Sequence, residues 1–278
     1  MSQPLVISHG SCFDGFTAAW IADKRWRTGA HDARPEHFFA TYGKPAPLVT
    51  QVRGRHVLMV DFSYPRPVIE VMAHEAETLI ILDHHKTAEA ELAGLDYALF
   101  DMKRSGAALA WDVLTGGEPR PPIVEYVQDR DLWTQALPKT HEVTAWMSSV
   151  KMEFSSWDLL AEEIACGIAA QKGAAVVAYI EQYGRKARAE VTFEEVGGYK
   201  VPCINLPYMN CSEHVGELLK EHPDAAFAAG YFRRGDGRWQ FSLRSRPGYD
   251  VAEIAKWYGG GGHAQAAGFD VLVLPWEV

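Results

Sequence analysis

No stretch of this 278-residue chain reaches the run of about 18 apolar residues that a membrane-spanning helix needs. The first residues, Met1-Ser2-Gln3-Pro4, lack the basic and apolar regions of a secretory signal. These absences lead us to expect no membrane and a cytoplasmic setting. Cysteine is scarce. Cys12, Cys166, Cys203 and Cys211 form no CxxC pair and no zinc-finger spacing, which excludes a disulfide scaffold and fits a reducing compartment. There is no internal repeat and no low-complexity tract. Basic charge is also in short supply, with 27 Lys and Arg against 36 Asp and Glu and a net charge of −9. A protein that coats long duplex nucleic acid carries a basic face, so this balance argues against extensive backbone binding. Carboxylates gathered around divalent cations, and small anionic substrates held by a few arginines, suit it better.

What is present is a strand and helix alternation. Leu5 to Ser8 is a short apolar strand, and Phe16 to Trp26 places Phe16, Ala19 and Trp20 on one helical face. His56 to Val60 is a second buried strand, ending at Asp61. Pro65 and Pro67 sit where helix starts tolerate proline, and Val68, Val71 and Met72 follow at helical spacing. Thr78 to Leu82 is a third strand, ending at Asp83, and Tyr97 to Phe100 is a fourth. Ser105 to Leu114 is a helix stopped by Gly116. Strands separated by helices imply a parallel α/β sheet, whose ligands bind beyond the carboxyl ends of the strands. His9, Asp61 and Asp83-His84-His85 fall at those ends.

From Trp157 to Arg188 the pattern is Ala-rich and helical, with Gly167, Gly173 and Gly184 as candidate breaks. Beyond about Val191 short strands take over, at 201–205, 226–231 and 240–243. A helix over 250–257 follows, with Asp250 and Glu253 as an acidic capping box, and then a closing strand over 269–274. We expect three parts: a catalytic metal-binding domain over 1–155, a helical connector over 156–190 and a smaller mixed α/β substrate-binding domain over 191–278.

Two signatures stand far apart. Asp83-His84-His85 follows the apolar run Leu79-Ile80-Ile81-Leu82, and Gly259-Gly260-Gly261-Gly262-His263 lies downstream. Together, in this order, they resemble the DHH phosphoesterase superfamily in the branch with the DHH-associated C-terminal domain, from His9 to about Phe269. The resemblance implies an N-terminal parallel-sheet domain that binds two Mn2+ ions (or Mg2+), oxygen-rich ligation favouring these over zinc. It implies His9, Asp14, Asp61, His84 and Asp129 as ligands, with Asp61 bridging. His85 would contact the phosphate and protonate the leaving oxygen, and Asp83 would orient a ligand histidine from behind. Asp131 is the alternative to Asp129. The family's first motif has a His and two acids. Here His9-Gly10-Ser11-Cys12-Phe13-Asp14 supplies one acid, and Cys12 lies near the place of the other. Cys12 is either a thiolate ligand or a small buried residue. The ion nearest His9 is accordingly expected to bind more weakly. Ser105-Gly106-Ala107-Ala108 resembles a helix start that receives a phosphate, with an ordinary N-cap as the plainer reading. In the second domain, Arg244, Arg246, Gly260, Gly261, Gly262 and His263 would bind substrate, glycines allowing close backbone approach.

The expected activity is metal-dependent hydrolysis of phosphodiester bonds in short oligonucleotides or linear dinucleotides, through a water activated by two metals in a cleft between the domains. The expected partner is a short single-stranded nucleic acid or nucleotide, and a homodimer is compatible. The rival substrates are cyclic dinucleotides, phosphoadenosine and polyphosphate. A rival of another class is a nucleotide-binding protein with degraded catalysis, which would show affinity without manganese-dependent turnover.

Overall fold

The computed structural model describes residues 3–10, 12–28, 34–207 and 211–277. Met1 and Ser2, part of the N-terminal segment read above, lie outside them. The chain divides into two units, Met1–Val177 and Ala178–Val278.

The first unit is a parallel α/β layer. Its elements begin with β1 (Leu5–His9), α1 (Phe13–Thr28), β2 (Glu36–Ala40), a single turn α2 (Val49–Val52), β3 (His56–Val60), α3 (Arg66–Glu75) and β4 (Thr78–Asp83). They continue through α4 (Lys86–Glu91), β5 (Ala98–Phe100), α5 (Gly106–Thr115), α6 (Pro122–Asp131), α7 (Thr140–Met147) and α8 (Phe154–Ala165), and α9 (Ile168–Ala189) contains the boundary between the units. The strands form one sheet in the order β2-β1-β3-β4-β5, every neighbour parallel. Both faces are covered, which is why the strands read as continuous apolar runs. Leu5, Ile7, Val57, Met59 and Ile81 point to a core shared with Ile69 and Met72 of α3. Val6, Leu58, Val60 and Leu82 point to the opposite core, shared with α1, α5, α6 and α8. The strand order reverses between β1 and β3. In such sheets this switch point opens a crevice outside the carboxyl ends of the strands.

The Ala-rich stretch is two helices. Gly167, at φ 79°, separates α8 from α9, and the two meet at 97°. Gly173 and Gly184 do not break α9. A Cβ at 173 would overlap the Glu142 carbonyl, and one at 184 would overlap the His214 ring, so these glycines permit close packing. Trp157, Leu160 and Ile164 of α8 are buried in the first unit's core. Among the described residues no single helix is long and apolar enough to cross a membrane.

The second unit contains β6 (Thr192–Val196), β7 (Tyr199–Asn205), α10 (Cys211–Glu221), β8 (Phe227–Arg233), β9 (Trp239–Ser245), α11 (Val251–Trp257), β10 (Gly261–His263) and β11 (Ala266–Val271). The sheet order is β10-β11-β9-β8-β7-β6, antiparallel except between β7 and β8. One face packs Ile204 and Ala228 on Val215 and Leu218 of α10. The other packs Phe227, Phe241, Leu243 and Phe269 on Val251 and Ile254 of α11. Asp250 caps α11 by accepting from the amides of Ala252 (2.9 Å) and Glu253 (3.4 Å), while the Glu253 side chain pairs with Lys256. The closing strand runs over Ala266–Val271, earlier than the sequence pattern suggests. Its pairing with β9 fixes that register.

Candidate metal centre

Three parallel strands deliver the polar residues to one place. His9 ends β1, Asp61 follows β3, and Asp83-His84-His85 ends β4. The carboxylate of Asp61 stands between two groups of donors. Its Oδ1 is 3.1 Å from His84 Nε2, which is also 3.6 Å from Asp14 Oδ2 and 3.6 Å from Asp131 Oδ2. Its Oδ2 is 3.3 Å from Cys12 Sγ and 3.7 Å from His9 Nδ1, and Cys12 Sγ and His9 Nδ1 are 3.2 Å apart. Three sets of donor atoms lie within 4.8 Å of one another: His9, Cys12 and Asp61; Asp61, His84 and His85; Asp14, His84 and Asp131.

The backbone is arranged around Asp61. It adopts φ 54°, a left-handed conformation that costs a non-glycine residue roughly 1–3 kcal/mol and persists only where the surroundings impose it. Its amide donates to the Leu82 carbonyl at 2.9 Å, tying the turn to β4. Gly106 and Gly15 leave the necessary room. A Cβ at 106 would overlap that of Asp61, and one at 15 would lie 2.7 Å from the His9 Cβ and 3.0 Å from Asp61 Oδ2.

Buried acids this close need a positive partner. Burial and then the charges of Asp61 and Asp131 push the Asp14 carboxyl well above the usual range. Burial acts in the same direction on Asp61, but hydrogen bonds to His84 and His9 outweigh it and hold that carboxyl far below its ordinary value. Burial also disfavours the charged form of His84, yet the hydrogen bond to Asp61 and the charges of Asp14, Asp61 and Asp131 bring it to about 9. Burial first, then Asp61, push the Cys12 thiol up. The field that protonates His84 is the field that attracts a dication, whose presence inverts these shifts. Carboxylates and imidazoles converging from rigid strand ends therefore fit divalent cations.

The remaining sequence candidates fall into two sets. Asp83 is fully buried and spends its oxygens on position: Oδ2 accepts from Ser63 Oγ (2.6 Å), and Oδ1 accepts from the His84 amide (2.7 Å) and from His85 Nδ1 (2.6 Å). The bond from His85 raises that ring's pKa and leaves Nε2 as its outer nitrogen. The acid brought to His84 from α6 is Asp131. Asp129 faces elsewhere, accepting from Thr134 Oγ1 (2.6 Å) and the amides of Ala136 (2.7 Å) and Leu137 (3.1 Å), and from Thr140 Oγ1. Positions two apart on a helix do not share a face.

Ser105 does not offer a phosphate site. Its side chain is buried and caps its own helix through Ala108 N at 3.3 Å. The α5 amides that a phosphate would use, Gly106 N (2.5 Å) and Ala107 N (2.9 Å), donate to Asp14. A protein carboxylate takes the place foreseen for substrate. Tyr42 went unread in the sequence, having no motif around it. Its ring lies tilted 4.5 Å from Phe62 and stands 5.4 Å from His9 and 6.0 Å from His85.

In the second unit, Arg246 has its guanidinium engaged within the fold. Its guanidinium donates to the carbonyls of Pro223 (2.9 Å), Ala225 (3.0 Å) and Leu219, closing the C-terminal end of α10. Gly260 and Gly262 are required by packing: a Cβ at either would overlap β11, and Gly262 has φ 144°. Gly261 meets open space. The register places Gly261, Gly268, Ser242 and Gly230 in one cross-strand row and His263, Ala266, Arg244 and Ala228 in the next on the same face. His263 is exposed. Arg244 is anchored through Ser212 Oγ (3.2 Å from Nε) and the Leu243 carbonyl (2.7 Å).

Residues 205–272 match the family described as the DHHA1 domain. An uncharacterized protein of Acanthamoeba polyphaga mimivirus is 29% identical over 283 residues, covering 95% of this chain. The chain spans 66% of that relative's length. Among solved structures, the pGpG-specific phosphodiesterase PggH from Vibrio cholerae aligns with TM-score 0.55 and 13% identity, over 97% of this chain and 93% of that one. RecJ from Thermus thermophilus, in complex with Mn2+, aligns with TM-score 0.56 and 16% identity, over 96% of this chain and 49% of that one. At these identities the likeness establishes the fold.

Proposed function

We propose that this chain is a DHH phosphoesterase that hydrolyses phosphodiester bonds of short oligonucleotides or linear dinucleotides, a reading supported by the DHHA1 match over residues 205–272 and by the fold it shares with PggH and RecJ. The observation that carries the proposal is Asp61, whose two oxygens face two separate donor groups at the switch point of the sheet. On this reading His9, Asp14, Asp61, His84 and Asp131 hold two divalent cations, manganese or magnesium. When bound, the cations lower the pKa of a water and neutralise phosphate oxygens. His85, fixed through Nδ1 by Asp83, presents Nε2 to the substrate and passes a proton to the leaving oxygen. In the second unit, Arg244, Gly261 and His263 bind a phosphate or sugar of a nucleotide. Arg244 and His263 share their row with Ala266, and the exposed Gly261 lies in the next, which supports this, since a phosphate or sugar approaches backbone closely there. PggH acts on the dinucleotide its name states, which favours a short substrate here.

The test is a manganese-supplemented turnover panel of short RNA and DNA oligonucleotides, linear and cyclic dinucleotides, phosphoadenosine and polyphosphate. The short linear substrates should turn over fastest, and preference for cyclic dinucleotides or polyphosphate would overturn the assignment. Asp61→Asn is a sharp control. Asparagine tolerates the left-handed backbone of position 61, so the fold should survive while metal uptake and turnover are both lost. Wild-type turnover in that variant at saturating manganese would remove Asp61 from the site.

A further inference from the structure

We propose that Cys12 is a metal ligand, giving the cation position beside His9 a mixed imidazole, thiolate and carboxylate donor set and a preference for thiophilic divalent ions. The proposal rests on the reading that this cluster binds metal, and it deepens that reading by naming the donors on the His9 side.

Metal–ligand lengths of about 2.0–2.3 Å put the donors of one ion within roughly 3–4 Å of each other. His9 Nδ1, Cys12 Sγ and Asp61 Oδ2 are separated by 3.2, 3.3 and 3.7 Å. Charge points the same way. On the His84 side, carboxylate oxygens come from Asp14, Asp61 and Asp131. On the His9 side the corresponding group contains one carboxylate, Asp61, so a dication there needs a second anion, and the sulfur is in place to supply it. As the ion binds, the S–H bond breaks, the sulfur keeps the electron pair for the metal, and the proton leaves to solvent, one per ion bound. Sulfur ligation shifts selectivity from manganese and magnesium toward zinc, cadmium, cobalt and iron.

The experiment titrates the metal-stripped protein with Co2+ and reads absorption, proton release and competition by other ions. It compares wild type with Cys12→Ser, Cys12→Asp and Asp61→Asn, each checked for fold by circular dichroism. In wild type a thiolate-to-cobalt charge-transfer band in the near ultraviolet should grow with bound cobalt. It should be missing from Cys12→Ser and Cys12→Asp, both of which keep the weaker visible cobalt bands. Cys12→Asp should also lose roughly tenfold in its preference for Cd2+ over Mn2+. Visible cobalt bands in wild type without the charge-transfer band would overturn the thiolate ligand and leave the metal centre standing. Absence of any cobalt uptake by wild type would overturn both. Because absence of the charge-transfer band from wild type overturns the thiolate ligand whatever the variants do, a variant that fails to fold does not shelter the proposal.

Discussion

Asp129 and Asp131 stand two positions apart on α6 and do opposite things. The sequence register favours Asp129 as the last ligand, because it follows the apolar stretch at the expected distance. Only the helix phase, set by burial of Ile123, Val124 and Val127, turns Asp131 toward His84 and Asp129 toward its own loop. That phase depends on tertiary packing, and the motif does not encode it. The same holds for Arg246, whose partners are carbonyls of residues 219–225, and for Ser105, whose helix amides meet Asp14. By contrast His9, Asp61 and the Asp83-His84-His85 triplet were legible, since each directly ends an apolar strand. The pair on α6 gives a clean test. Asp131→Asn should weaken Mn2+ binding by about tenfold or more and leave thermal stability nearly unchanged. Asp129→Ala should do the reverse, losing about 1–3 kcal/mol because buried donors in the loop go unpaired, with metal affinity retained in the folded fraction. Calorimetric metal titration and thermal melting separate the two, and swapped results would return Asp129 to the site.

At the scale of elements, β2 and α10 are among those that the sequence pattern does not show, with α4, α6, α7 and β6. Glu36–Ala40 is short and partly polar, and it becomes a strand through parallel pairing with β1. α10 does show an apolar stripe, at Cys211, Val215, Leu218 and Leu219, but it follows a short strand among turn residues. Its placement depends on a buried pair. His214 is 2% exposed, with Nδ1 3.2 Å from the Arg188 guanidinium, and Gly184 of α9 leaves room for the ring. Burial first, then the Arg188 charge, lower the His214 pKa. The sign follows directly. The ring is neutral in the fold and titrates at its ordinary value of about 6.5 when unfolded, so the unfolded chain takes up the proton first. Stability from this site is present above that value and is lost as pH falls through it toward the lowered folded value. Urea midpoints for the second unit's unfolding should therefore drop between pH 7.5 and 5.5. His214→Asn keeps an acceptor for Arg188 without a titrating ring and should flatten the drop. An unchanged slope in that variant would assign the acid sensitivity to other groups.

Over the whole molecule, the two-layer logic of the first unit was readable because its strands are buried on both faces and end in chemistry. The second unit's mixed sheet was readable only in outline, since β10 contains two glycines and depends on β11 for its register. Charge is the property that belongs to the chain as a whole. With 36 acids against 27 bases, the protein repels a long polyanion, and the groups proposed to meet substrate phosphates reduce to Arg244, His263 and the metal centre. Each phosphate neutralised by a cationic side chain contributes about −0.7 to the slope of log K against log salt for single strands. Binding of a short oligonucleotide should therefore show a slope no steeper than about −2. Affinity should stop rising once the strand exceeds the few nucleotides that the site can hold, and long duplex DNA should not compete. Fluorescence anisotropy with labelled oligonucleotides of increasing length, read across salt, measures all three. A slope near −5 with affinity climbing through long duplexes would mean that a basic surface not described above tracks the backbone, and the short-substrate reading would fall.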